Sequence, residues 1–282
     1  MSSRSALEAI WCGGDAQGGT MLPLRAHAAL LADTIFEIVN EQPKEFIVWH
    51  AVSDQLRMSS FVEDIHARSP GSIDFCGGFA ESDLAFGEMA QLWLGGTIIF
   101  GLVWQAYELS VLARKPNSTS QGEDGIKLIS AAADGRKCPH LVEITEAVVA
   151  NLSHLASELP DKRRKKILKG IAEIDICLAP AKLAASSLAY LRNALIHGQL
   201  VAPLTSFGDE DDDPIENDHK IRVFHNAIRL TLILIQLLFA AAFPEGEETE
   251  AGGDLVEIGE FMQNLHMKAD PISRIDVSGT RS

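Results

Sequence analysis

Tyr190-Leu191-Arg192-Asn193-Ala194-Leu195-Ile196-His197-Gly198 closes a strongly helical run and ends it at a glycine. Ala184, Leu188, Leu191 and Leu195 recur at steps of four, three and four, the spacing of a helix with one apolar stripe. Pro180 is a helix opener, and Gly198 is a natural residue for the left-handed position just past the last turn. Tyr190, Asn193 and His197, spaced three and four, share the face opposite the stripe. Arg192 sits on the shoulder of the stripe. Five steps of about 100° put it about 140° away from His197 on an ideal helix, so the two do not meet within one regular helix. A site that uses both needs unwinding near Gly198 or a second copy of the helix.

The residue types permit chemistry. Arginine grips phosphate with a planar fork, and histidine moves protons near neutral pH. The plain structural alternatives are equally concrete. His197 suits the negative end of a helix dipole, Arg192 suits an ion pair with a neighbouring helix, and Asn193 suits a surface amide.

Composition narrows the field. The chain has 282 residues, 46% of them hydrophobic, with a net charge of −15. Its mean hydropathy is +0.08. That length holds one large domain or two modest ones. So acidic a chain is no general coater of nucleic acid, because phosphate backbones reward clustered Lys and Arg. Cys12, Cys76, Cys138 and Cys177 lie far apart without a CxxC pair, which argues against a zinc site or a disulfide framework. Free thiols suit a reducing cytoplasm, and Met1–Trp11 lacks an apolar signal core, so a cytoplasmic location is expected. His140, His154, His219 and His225 are scattered, and no metal or cofactor is expected.

Patterning predicts a mainly α protein with a small mixed N-terminal region. Residues 1–81 match no motif. They read as a helix at Ala26–Asn40, strand-like content at Glu45–Val52 with helix as the alternative, a turn at Ser69-Pro70-Gly71, and a short strand at Ser72–Phe79. Gly13-Gly14 and Gly18-Gly19 bracket a loop. Residues 82–243 read as a helical bundle. A long helix capped at Ser82-Asp83 runs to Arg114, with a bend at Gly95-Gly96. A loop covers Lys115–Gly125, and helices cover Ile126–Ala133, Pro139–Glu158 and Lys162–Leu178. The motif helix comes next, then an acidic loop at Pro203–His219 that includes Asp209–Asp213. A final helix spans Lys220–Phe243. Residues 244–282 read as an acidic, mobile tail with one short helix near Val256–Met267. Leu92–Ala113 and Ile221–Phe243 are apolar enough to raise a membrane span. Polar residues inside each, with Arg222, Asn226, Arg229 and Gln236 on one stripe, favour amphipathic soluble helices and no membrane.

Arg192, Asn193 and His197 match the Arg-polar-three-spacers-His signature of the HEPN superfamily, whose domains are small helical bundles. Ile98–Leu109 resembles the apolar first helix of that group, with an aromatic and an acidic residue late in it. The resemblance covers roughly Ser82 to Phe243. The insertion from Pro139 to Leu178 exceeds a minimal bundle.

The resemblance implies a metal-independent endoribonuclease acting as a homodimer. Many members of the group are toxins or phage-defence effectors, with an antitoxin or regulatory protein as partner. Its second implication is a non-catalytic interaction or nucleotide-binding module, since some members have lost catalysis. As carried over, His197 is the acid or base, Arg192 stabilises the charged transition state, and Asn193 orients phosphate or histidine. Glu108 is the acidic partner expected for Arg192 if their helices pack. Its roles there are a catalytic one or a buried structural pair. Tyr190 is expected to pack at a dimer seam. Lys162, Arg163, Arg164, Lys165, Lys166 and Lys169 form the one dense basic run, either an RNA-binding patch or a solvated helix face.

Overall fold

The structure is a computed structural model. It describes residues 7, 10–11, 20–41, 46–63, 65, 77–136, 138–157, 159–198, 200, 214–251 and 254–268, with the backbone alone at 77–86, 88 and 214–219. The protein is mainly α: nine helices and one two-stranded sheet among these residues. In chain order the helices are α1 (Leu24–Asn40), α2 (Ile47–Ser60), α3 (Gly77–Arg114), α4 (Gln121–Ala133), α5 (Leu141–Ala156), α6 (Asp161–Ala172), α7 (Pro180–Ile196), α8 (Pro214–Ala240) and α9 (Ile258–Asn264). Strands β1 (Glu248–Ala251) and β2 (Asp254–Glu257) form an antiparallel hairpin before α9.

Helix α8 is the hub, packed by α1, α3, α4, α5, α7 and α9. From Lys220 to Ala240 it is long and apolar enough to cross a membrane, and 94% of its most apolar window is buried inside the protein. Its polar residues, expected on one stripe, are mostly spokes to different neighbours. Asn226 donates to Asn151 of α5 at 2.9 Å. Arg229 donates to the Leu22 carbonyl at 2.7 Å. Gln236 donates to the Met262 carbonyl at 2.7 Å and meets the buried His27 ring at 2.8 Å. His225 bonds the Ile10 carbonyl at 2.7 Å. Each spoke satisfies a polar group that burial would otherwise penalise.

Several expectations are corrected. Of the two readings of Glu45–Val52, residues 47–52 take the helical one and open α2, which buries Trp49, Val52 and Leu56 and sets the Trp49 ring edge-on to Phe239 of α8 at 4.9 Å. Residues 77–79 are helical and open α3, so Ser82-Asp83 lies inside that helix rather than capping it. Helix α3 runs unbroken past Gly95-Gly96. These glycines admit close neighbours: a Cβ on Gly95 would fall 1.9 Å from Leu7, and one on Gly96 would fall 2.5 Å from the Phe224 ring. Helix α4 starts at Gln121, five residues early, because Gly125 packs under Tyr107 and Asp124 is tied to Lys115 at 2.7 Å and Ser118 at 2.8 Å. Residues 214–219, expected in the acidic loop, are the first turns of α8. The Gly13-Gly14 and Gly18-Gly19 loop, the Ser69 turn and the Asp209–Asp213 run lie outside the described residues.

Beyond α8 the chain is folded as far as Lys268. Ile258, Met262 and Leu265 are buried. Met21 and Met267 form an antiparallel bridge, flanked by bonds from Leu22 N to His266 O at 2.8 Å and from Lys268 N to Thr20 O at 2.7 Å. The short helix expected near Val256–Met267 is α9, and the hairpin before it was not expected.

Candidate active site

Helix α7 carries the motif. Ala184, Leu188 and Leu191 are fully buried, as the stripe requires, while Leu195 is half-buried at its end. The helix keeps regular bonding through His197, whose N–H donates to the Asn193 carbonyl at 3.1 Å. Gly198 follows with φ +59°, the left-handed residue that ends the helix. Nothing unwinds before His197, so the angular separation of Arg192 and His197 holds in the folded chain.

The two sides of α7 have different surroundings. On one side Arg192 meets Glu108 of α3, with Nη2 3.5 Å from Oε1 and both side chains partly exposed. Trp104 Nε1 donates to the same oxygen at 2.7 Å. Arg192 Nη1 also donates to Asn193 Oδ1 at 3.2 Å, whereas its Nε is shut from solvent without an acceptor. The expected ion pair between neighbouring helices is therefore present. Burial, and then the Glu108 carboxylate, push the adjacent Tyr107 phenol well above its ordinary range.

On the other side Tyr190 lies over Gly170 of α6; a Cβ there would stand 2.1 Å from the hydroxyl. The aromatic ring expected at a dimer seam thus packs inside its own chain. Asn193 and His197 are exposed further along that face, and the His197 ring has no hydrogen-bond partner among the described residues.

The Tyr190 contact docks α6, the basic helix, beside this face. Ile167 and Ile171 bury its inner side, while Lys162, Arg163, Lys165, Lys166 and Lys169 are exposed. Arg164 pairs with Asp161, and Lys169 with Glu173 at 3.6 Å. Four of the six cations, Lys162, Arg163, Lys165 and Lys166, have no ion pair among the described residues.

Between α3 and α7 runs a cleft of about 220 Å³. Thr97, Phe100, Gly101, Trp104, Gln105 and Glu108 form one wall, and Arg192, Leu195 and Ile196 form the other. Sequence reading named Glu108 and Arg192 here and missed Gly101 and Trp104. The available signal was the stripe 97, 101, 104, 105, 108 on one helix face. Along the same edge Leu94, Ile98 and Ile196 are exposed by 45%, 44% and 61%.

Among the described residues no three His, Cys, Asp or Glu side chains converge as metal ligands. Cys138 is half-buried, and the loss of solvent around it pushes its thiol up to about 12 and makes it a poor nucleophile. Comparison with protein-family models, with curated proteins and with solved structures finds no match to this chain.

Proposed function

We propose that this protein is a metal-independent endoribonuclease of HEPN type, with a site assembled by two copies of the chain. The observation that carries the reading is the division of α7. His197 is exposed on one side, and Arg192 is held by Glu108 and bonded to Asn193 on the other, with regular helix between. A second copy supplies what one chain cannot bring together. The exposed Leu94, Ile98 and Ile196 give that copy an apolar edge to bury.

In the proposed reaction His197 accepts the proton of a ribose 2′-hydroxyl. The freed oxygen bonds to phosphorus, and the bond to the 5′-oxygen breaks as that oxygen takes a proton from water, which His197 replaces by releasing the proton it accepted. The products are a 2′,3′-cyclic phosphate and a 5′-hydroxyl. Arg192 offsets the charge of the phosphorane-like transition state, and Asn193 orients phosphate. The exposed cations of α6 flank the His197 face and draw in the RNA backbone. A cytoplasmic toxin or phage-defence role, with a regulatory partner, rests on the resemblance alone.

The second reading is a non-catalytic HEPN module. It is favoured by the Glu108–Arg192 pair, which already engages the guanidinium inside one chain. Incubation of the purified protein with total RNA in EDTA, beside His197→Ala, separates the two. Cleavage by the wild type and not the variant supports the nuclease. An inert wild type supports the module.

A further inference from the structure

The cleft between α3 and α7 ends in a carboxylate with one oxygen to spare. Glu108 uses Oε1 for both Trp104 and Arg192; its Oε2 accepts nothing among the described residues. Gly101 lies in the middle of the α3 wall, and a Cβ built there would meet no atom within 4 Å. The glycine therefore leaves the cleft open at the place where any side chain would begin to fill it. Phe100 and Trp104 line the same wall, and Ile196 stands opposite. Such a slot is mostly apolar along its length, with Thr97 and Gln105 on its wall, and at one end it offers the accepting Glu108 oxygen beside the Arg192 guanidinium. Its volume of about 220 Å³ is below the range of about 300–1,000 Å³ usual for drug-sized ligands, so it suits a single ring system.

We propose that this cleft seats one guanine base of the RNA, read by Glu108 along its Watson–Crick edge. The inference rests on the endoribonuclease reading for its choice of RNA as ligand. Single-stranded RNA is recognised by inserting splayed bases between apolar groups and bonding their edges. A carboxylate needs adjacent donors. Guanine alone among the four bases places two side by side, the N1–H and the N2 amino group. Adenine and cytosine put a lone-pair nitrogen beside their amino group, and uracil flanks its N3–H with two carbonyls. Each of these turns an acceptor toward Glu108 and is repelled.

The test is titration of the full chain with GMP, AMP, CMP, UMP and ribose 5-phosphate by calorimetry, in wild type, Gly101→Leu and Glu108→Gln. The expected result is GMP binding about tenfold or more tighter than the other nucleotides, the discrimination of two hydrogen bonds, from N1–H and N2–H, converging on the open Oε2 of Glu108. Gly101→Leu should lose nucleotide binding with an unchanged or higher Tm, since leucine favours helix and its Cβ has room. Glu108→Gln should lose the preference for GMP. Equal affinity for GMP and ribose 5-phosphate would overturn the proposal. So would Gly101→Leu that binds GMP normally but sediments as a monomer, which would assign the cleft to a side chain of a second copy. GMP binding without RNA cleavage would sink the nuclease reading and keep the base seat. RNA cleavage without nucleotide binding would do the reverse.

Discussion

Helices α3 and α8 are both long and apolar enough to cross a membrane, and they have different fates. The most apolar window of α8 is 94% buried, and that of α3 only 50%. Helix α8 is surrounded, so its polar residues had to become internal hydrogen bonds. Helix α3 meets α8 through Trp93 and Gly96 at the Phe224 ring but leaves Leu94 and Ile98 bare beside the Glu108–Arg192 cleft. Hydrophobicity alone measures how much must be buried. Which face is left over depends on packing, and here the leftover face borders the Glu108–Arg192 pair. That coincidence is the reason to place a second copy there.

The contrast breaks most visibly in the core. Phe224 of α8 is fully buried, edge-on to Trp93 at 5.1 Å. Phe224→Ala should cost about 3–5 kcal/mol in urea unfolding. A loss under 1 kcal/mol would mean that α8 is not the hub.

Two glycines of α3 sharpen it next. Gly96→Ala drives a methyl into the Phe224 ring and should destabilise by about 1–3 kcal/mol. Gly101→Ala, one and a half turns later and facing the open cleft, should stabilise by about 0.5–1 kcal/mol. Equal effects by thermal unfolding would erase the distinction between the two faces.

The third test is pH. Burial, then His266 and Arg229, hold the His27 ring well below its ordinary range, against the bond to Gln236. The folded state therefore keeps His27 neutral where the unfolded chain takes up a proton. Its contribution is complete above the free-histidine value of about 6.5 and is lost as pH falls below it, by up to about 1.4 kcal/mol per pH unit. Urea midpoints at pH 7.5 and 5.5 should differ less in His27→Gln than in the wild type. An identical pH dependence in both would remove His27 from the account.

The smallest effect on stability belongs to the bare edge. Leu94→Ser and Ile98→Ser should change unfolding by no more than about 0.5 kcal/mol. Together they should shift sedimentation from dimer to monomer. A dimer that survives both would place the second copy elsewhere.

The sequence showed some of this and hid the rest for physical reasons. The end of α7 was legible because Pro180, the stripe 184–188–191 and Gly198 act locally. The Glu108–Arg192 pair was legible as charge seeking charge. The hairpin at 248–257 was hidden. Thr249 and Val256 are its buried side chains, too few to mark an alternation among glutamates. The start of α4 was hidden because Gly122 and Gly125 read as loop until Tyr107 shows why a side chain is excluded at Gly125. The cleft was hidden because it is a property of two helices eighty-four residues apart at their contact.

The account turns on whether Arg192 of one copy works with His197 of another. Arg192→Ala and His197→Ala, each purified and assayed on RNA in EDTA, should be inactive alone and folded by their melting curves. Mixed and allowed to exchange subunits, they should regain cleavage, because one of the two sites in each mixed dimer then has both groups intact. A mixture that stays inactive while the wild type cleaves, or cleavage that requires a divalent ion, would contradict it.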